Sequence, residues 1–402
     1  MRDAGQRRRF LRASAGVTLA WQLPCLAAAD PAGPTAACAD WPAWQAFRRQ
    51  FLREGDRVID PLSARAQTVS EGQAYALFFA LVAGERECFE RILRWTEDNL
   101  AGGDLSLRLP AWQWGRRDDG SYGVLDANPA SDADLWLVYT LGEAGRLWHE
   151  RRYLALSSVL AERVLREESA ILPGLGRSLL PGAQGFALDS QRWRLNPSYL
   201  PLFLARWLAM RSADRRWQEL LASNLRLLRE SAPRGFAPDW AWYQDGAATT
   251  VQGATRADRA GFDPAPAAAA DRIGSYDAVR VYLWLGITAP ADPARAGLLS
   301  HFAPMADQVE RGGSPPRSVE VFDGSVQGVG PAGFSAALLP FLDALERASA
   351  ARDQARRLLE QPVPADAYYE QALSLFALGW RERRYALAAD GSLVPAWRPC
   401  AA

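Results

Sequence analysis

The sequence predicts an all-α fold in which twelve helices form a double ring, six inside and six outside. From Trp41 to Tyr385, helical segments of two kinds alternate, one amphipathic with a charged outer face and the other apolar on nearly every side. The alternation is strict, six of each, so every surface helix is followed by one that has to be buried. A solenoid with a repeat of roughly 34 residues is the structural alternative, but the spacings are irregular and no repeat consensus recurs.

Taken in order, the amphipathic segments cover about 41–53, 85–99, 152–168, 216–231, 293–311 and 350–361. In the second, Cys88, Phe89, Ile92 and Leu93 make one stripe, while Glu87, Glu90, Arg91, Arg94 and Asp98 fall largely outside it. The apolar segments cover about 71–83, 132–148, 197–211, 276–287, 334–346 and 366–380. Asn196-Pro197 reads as a cap followed by proline at the first helical position, and Ser131 with Asp134 three residues later as a capping box. Arg57-Val58-Ile59 and Gln191-Arg192-Trp193-Arg194 are strand-like and suit small hairpins at the rim, and 246–271, with Pro264-Ala265-Pro266, reads as a surface excursion.

Composition removes whole mechanisms. The chain of 402 residues has two histidines, His149 and His301, and all 46 of its basic residues are arginine. Serine–histidine triads, histidine-rich metal sites and lysine Schiff bases therefore lack their residue types, and carboxylates remain for acid–base work. No cofactor or metal is implied. Arg7-Arg8-Arg9-Phe10-Leu11-Arg12, a mildly apolar run to Leu26 and Ala27-Ala28-Ala29 resemble a twin-arginine export signal over residues 1–29. The apolar run is too short for a permanent membrane anchor, which points to a periplasmic or secreted protein with one domain over 30–402. Without the signal, 41 arginines face 45 acids, a net charge of −4 that offers nothing to nucleic acid. Aromatic residues are abundant, with 16 Trp, 11 Tyr and 15 Phe; flat rings suit sugars, although most must be core. Of the cysteines left after export, Cys88 falls on an apolar helix face, and Cys38 and Cys400 lie at opposite ends. If the rings close, these two meet, and an oxidising compartment would join them.

Three inner segments open on carboxylates: Glu71 in Ser70-Glu71-Gly72-Gln73-Ala74-Tyr75, then Asp132 and Asp134, then Asp277 in Ser275-Tyr276-Asp277-Ala278-Val279-Arg280. Inner helices that alternate with antiparallel outer ones all run the same way, so these acids converge at one end. Paired carboxylates in an aromatic cleft point to glycosidic-bond hydrolysis. Each acid has a plainer reading. Glu71 and Asp132 would complement helix dipoles, Asp134 would serve the capping box, and Asp277 would pair with Arg280 three residues on. A general acid at a helix N-terminus also needs something to raise its pKa against the dipole, and a second carboxylate, Asp132, would do so.

Thr68-Val69-Ser70-Glu71-Gly72-Gln73-Ala74-Tyr75, Ala130-Ser131-Asp132-Ala133-Asp134-Leu135-Trp136, Asn196-Pro197-Ser198-Tyr199-Leu200-Pro201, Ser275-Tyr276-Asp277-Ala278-Val279-Arg280-Val281-Tyr282 and Gly330-Pro331-Ala332-Gly333-Phe334-Ser335 resemble glycoside hydrolase family 8. Within it, the resemblance is to the periplasmic endoglucanases that accompany bacterial cellulose synthase, and it runs from about Cys38 to Cys400. It implies an (α/α)6 barrel that cleaves internal β-1,4-glucosidic bonds with inversion, β-1,4-glucan chains as substrate and a cellulose synthase complex as partner. Glu71 matches the general acid, Asp277 the general base and Asp132 the acid that contacts the sugar at the cleavage point. Tyr276 and Arg280 match positions beside the base, and Trp112, Trp114, Tyr199, Tyr368 and Tyr369 are the implied sugar platforms. The segment 246–271 and Cys88 depart from the family pattern. A chitosanase or xylanase on the same barrel, or a glucan-binding protein without catalysis, are the alternatives.

Overall fold

The computed structural model describes residues 40–245, 261–262 and 272–397. Along them run helices α1 (Pro42–Phe51), α2 (Ser70–Val82), α3 (Arg86–Leu100), α4 (Ser131–Leu147), α5 (Arg151–Glu167), α6 (Leu202–Arg211), α7 (Arg216–Glu230), α8 (Ala278–Ile287), α9 (Arg295–Gly312), α10 (Ala332–Ala344), α11 (Ala348–Glu360) and α12 (Tyr368–Arg381). The even-numbered helices are the apolar ones, and their residues are buried nearly all round; in α2 every residue from Gly72 to Val82 is inside. Odd-numbered helices bury one stripe, as α3 does with Cys88, Phe89, Ile92, Leu93, Thr96 and Leu100.

Packing turns this alternation into two rings. Inner neighbours meet in the order α2, α4, α6, α8, α10, α12, and α3, α5, α7, α9 and α11 each lie on the inner helix that precedes them. The inner ring closes through Phe376 of α12, whose ring centroid lies 5.1, 5.3 and 4.6 Å from those of Tyr75, Phe78 and Phe79 of α2. α1 completes the outer ring against α12. At the centre stands Trp136 of α4, its ring 5.0 Å from Phe78, 5.7 Å from Phe203, 5.3 Å from Trp284 and 4.9 Å from Phe376, so one residue joins five inner helices. Gly286 allows α8 its close approach to α10, since a Cβ there would come within 2.4 Å of the Phe341 nitrogen.

Short antiparallel sheets stand at the end of the barrel where the inner helices begin. Thr68–Val69 runs straight into α2 and pairs with Gln113–Arg116, which pairs with Tyr122–Asp126. Ile273–Gly274, just before α8, pairs with Pro316–Glu320, and that strand with Val326–Val329. Arg192–Leu195, before α6, pairs with Ala241–Gln244. The strands thus raise walls around the helix N-termini.

Two local expectations fail. Asn196-Pro197 does not start a helix: α6 begins at Leu202 with Pro201 as its cap, because Asn196 Oδ1 is held in a turn by the Ser198 amide and hydroxyl. The Ser131–Asp134 capping box does not form either. Ser131 is already the first residue of α4, its amide donates to Pro181 O at 3.0 Å, and its hydroxyl has no partner. The export signal, Cys38, Cys400 and all of 246–271 except 261–262 lie outside the described residues. Cys88 is buried and unpaired, and burial pushes its thiol up to about 11. Among the described residues no helix is long and apolar enough to cross a membrane.

Candidate active site

Glu71 occupies the first turn of α2, and the strand Thr68–Val69 aims it. Ser70 N donates to Trp112 O at 2.9 Å, which brings the Trp112 indole over the carboxyl, where Nε1 donates to Glu71 Oε1 at 3.2 Å. The next residue, Gly72, leaves room for Tyr368: a Cβ there would lie 2.6 Å from the Tyr368 hydroxyl oxygen. Burial pushes the Glu71 carboxyl up to about 8, with the Asp132 charge adding to the rise and the main chain, Arg280 and Trp112 opposing it. The helix dipole is thus overcome first by desolvation and second by the neighbouring acid.

Asp132 lies beneath, in the first turn of α4 and 2% exposed. Oδ1 accepts from the Ala133 amide at 2.9 Å and Oδ2 from Arg280 Nη1 at 3.0 Å. Burial raises this carboxyl to about 6; Arg280 holds it down and Asp277 adds to the rise. Arg280, one turn into α8, is the hub of the site. Its Nη2 donates to Asp277 Oδ1 at 2.9 Å and to Ser198 Oγ at 2.8 Å, Nη1 also reaches Tyr75 Oη at 3.4 Å, and Cζ lies 5.3 Å from the Tyr199 ring centroid. One guanidinium therefore ties α2, α4, α8 and the loop before α6 together.

Asp277 is the N-cap residue of α8, and its second oxygen accepts from Asn196 Nδ2 at 3.1 Å. Its side chain is 30% exposed against 3% for Asp132, so Asp277 meets solvent and Asp132 does not. Behind it stands Asp239, which no sequence pattern indicated. One oxygen of Asp239 accepts from the amides of Ser275, Asp277 and Ala278 at 2.8, 3.0 and 2.8 Å, holding the start of α8 in place. Burial and the Asp277 charge raise Asp239 to about 6.

The aromatic residues divide. Tyr276 is 48% exposed beside Asp277, and Tyr369 supports it by donating to Tyr276 O at 2.7 Å. Trp112 is exposed above Glu71, and Tyr199 lies against Arg280. Trp114 and Tyr368 are committed to protein neighbours. Trp114 packs on Trp95 and Tyr122 with the Arg57 guanidinium 4.7 Å away, while Tyr368 packs on Phe47 and Phe51. Trp240 is a further ring the sequence reading missed, stacked at 6.0 Å on Phe186 with the Arg194 guanidinium 4.1 Å from its centre and Tyr199 6.1 Å away. Among the described residues no group of three or more His, Cys, Asp and Glu is arranged to hold a metal ion.

Two partly exposed carboxyls, a third buried beneath them and an arginine joining two of the three can move a proton to one face of a substrate and from the other. The family described as glycosyl hydrolases family 8 matches residues 26–383. An endoglucanase of Escherichia coli (strain K12) is 45% identical over 362 residues, covering 90% of this chain and 92% of that protein. One of Xanthomonas axonopodis pv. citri (strain 306) is 43% identical over 401 residues, covering 98% and 99%. The crystal structure of an endo-1,4-D-glucanase from Vibrio fischeri ES114 superposes with a TM-score of 0.80 at 40% identity, covering 89% of this chain and 99% of that one.

Proposed function

The chain belongs to family 8 of the glycosyl hydrolases, and from that premise we propose that it is an endo-β-1,4-glucanase that hydrolyses internal glucosidic bonds with inversion. The observation that carries the reading is the contrast between the two acids that meet the cleft. Glu71 is held protonated up to about pH 8, while Asp277 is ion-paired with Arg280 and oriented by Asn196. One is equipped to give a proton and the other to accept one.

Glu71 Oε1 accepts from Trp112 and Oε2 lies 3.4 Å from the Ser70 hydroxyl oxygen; in this reading Oε2 carries the proton and gives it to the departing glycosidic oxygen. Water attacks the anomeric carbon from the opposite face, and its proton passes to Asp277. The carbon–oxygen bond to the leaving sugar breaks as the bond to water forms, so a β linkage yields an α-anomer. Position in the ring supports inversion. α2 and α8 are three places apart in a ring of six, across the barrel from each other, and adjacent packed helices already lie about 8–10 Å apart. Such placement suits the roughly 6.5–9.5 Å that leaves room for water better than the ~5 Å of direct attack. Asp132 contacts the sugar at the cleavage point in this reading, and Trp112, Tyr199, Tyr276 and Tyr369 flank it.

The names of the relatives support the β-1,4-glucan substrate. The arginine-rich start supports export to the periplasm or the medium, the family resemblance supports a role beside a cellulose synthase complex with residues 30–402 as one catalytic domain, and ring closure in an oxidising compartment supports Cys38 joined to Cys400. The test is reducing-sugar release from carboxymethylcellulose, xylan and chitosan side by side, with proton NMR of a fresh cellopentaose digest. Carboxymethylcellulose should be cut fastest and the α-anomer should appear first. Preference for xylan or chitosan would overturn the substrate, and an initial β-anomer would overturn the role of Asp277.

A further inference from the structure

Behind the site lie two acids that the reaction does not use. Asp134, in the first turn of α4, is 1% exposed, and Glu168, the residue that ends α5, is 0% exposed. Among the described residues no donor group reaches any of their four carboxyl oxygens, and the two carboxyls lie within hydrogen-bond reach of each other. Two carboxylates have no proton to share, so a contact of this kind needs at least one carboxyl to be protonated. We propose that Asp134 and Glu168 share a proton as a carboxyl clasp that locks the first turn of α4 onto the end of α5 and so positions Asp132 beneath the cleft.

The surrounding structure supports this. The main chain already joins the same two points through one segment: Glu168 O accepts from Leu180 N at 2.8 Å, and Ser131 N donates to Pro181 O at 3.0 Å. The clasp adds a side-chain link across that joint, two residues from Asp132. The charged groups that act most strongly on the pair are Asp132 of α4, Glu71 of α2 and Glu167 of α5, all acids. Glu167 is itself paired at the surface with Arg163 and Arg166, and Arg280 is spent on Asp132 and Asp277. Among the described residues no cation is paired with either carboxyl, so ionising both would bury uncompensated charge among like charges, and burial accordingly pushes both far above the usual carboxylate range. A protonated clasp also spares Asp132 and Glu71 a further negative neighbour.

The sign of the pH dependence follows. Carboxyls whose pKa is raised on folding give stability that is full below their unfolded values and is lost as pH rises towards their folded ones. The folded chain holds protons that the unfolded chain releases, so each such proton multiplies the unfolding constant about tenfold per pH unit above the ordinary carboxylate range. Urea unfolding of the full chain between pH 5 and 9 should therefore be flatter in an Asp134→Asn/Glu168→Gln double variant, by at least one proton, because the amide pair keeps the contact with nothing to titrate. Glu168→Ala should lower kcat at least tenfold with KM little changed, and the double amide variant should recover to within about threefold of wild type. Equal pH slopes in wild type and the double variant would overturn the clasp, as would a loss of wild-type stability on adding a chelator, which would mean a cation between the acids. If Glu168→Ala does not fold, the slopes decide alone. The positioning claim rests on the role given to Asp132, whereas the pH slope does not, so failure of one is distinguishable from failure of the other.

Discussion

Substituting Asp132→Asn removes one negative charge from below Glu71 and keeps the shape of the side chain. Glu71 stands at about 8 against an ordinary value of 4.5, with burial the larger cause and Asp132 the second. A carboxyl at about 8 is roughly 90% protonated at pH 7. A neighbouring like charge in such a site is worth on the order of one pKa unit, so the variant should bring Glu71 to about half protonated at neutral pH. The alkaline limb of kcat/KM, which reports the acid of the free enzyme, should move down by ~1 pH unit from near 8. Trp112→Phe makes the opposite case: its indole N–H stabilises the carboxylate, and its removal should move the limb up. The limb reports the coupled Glu71–Asp132 pair in wild type and Glu71 alone in the Asp132 variant, which sharpens the contrast. On the proposed role of Asp132 as a sugar contact, turnover of Asp132→Asn should also fall, so the titration should be read directly as well, by carboxyl 13C NMR with Glu71→Gln assigning the resonance. An unmoved or raised limb in Asp132→Asn would refute the account of how Glu71 is kept protonated.

Other expectations follow from the same geometry. Glu71→Gln and Asp277→Asn should each lose at least ~100-fold in turnover with helical circular dichroism unchanged, since the amides keep the shape but not the proton transfer; about a tenth of wild-type turnover in either would remove its assigned role. Trp136→Ala should cost about 3–5 kcal/mol in chemical unfolding, because its ring touches four other inner helices and the hole cannot collapse without moving several of them. Peptide mapping without reductant should find Cys38 joined to Cys400, and both thiols free would remove that link.

What the sequence showed was whatever burial alone dictates. α2 reads apolar on every face because it is surrounded, and α3 reads as a stripe because one side meets solvent, so inner and outer helices could be separated and the rings inferred. The acids at the starts of α2, α4 and α8 were legible for the same reason: ionisable groups stand out against an apolar run. Local signatures misled where a distant partner competed for the side chain. Asn196 looks like a helix cap, but its oxygen is taken by Ser198 and its amide by Asp277. Asp134 looks like half of a capping box, but its carboxyl faces Glu168 from the end of another helix.

Asp239 shows the limit more sharply, because nothing near it in sequence marks its task. It accepts from three amides at the start of α8, across the 246–271 segment, and only the folded chain brings them together. In the proposed reaction Asp277 presents one oxygen to water, and its backbone amide is held by Asp239 while its carboxyl is held by Arg280 and Asn196. Arg280 in turn holds Asp132, whose charge helps to keep Glu71 protonated. Acid and base on opposite sides of the barrel are therefore linked through one guanidinium. A substitution at Arg280 should disturb the protonation of Glu71 as well as the orientation of Asp277, and its effects should not add to those of either acid.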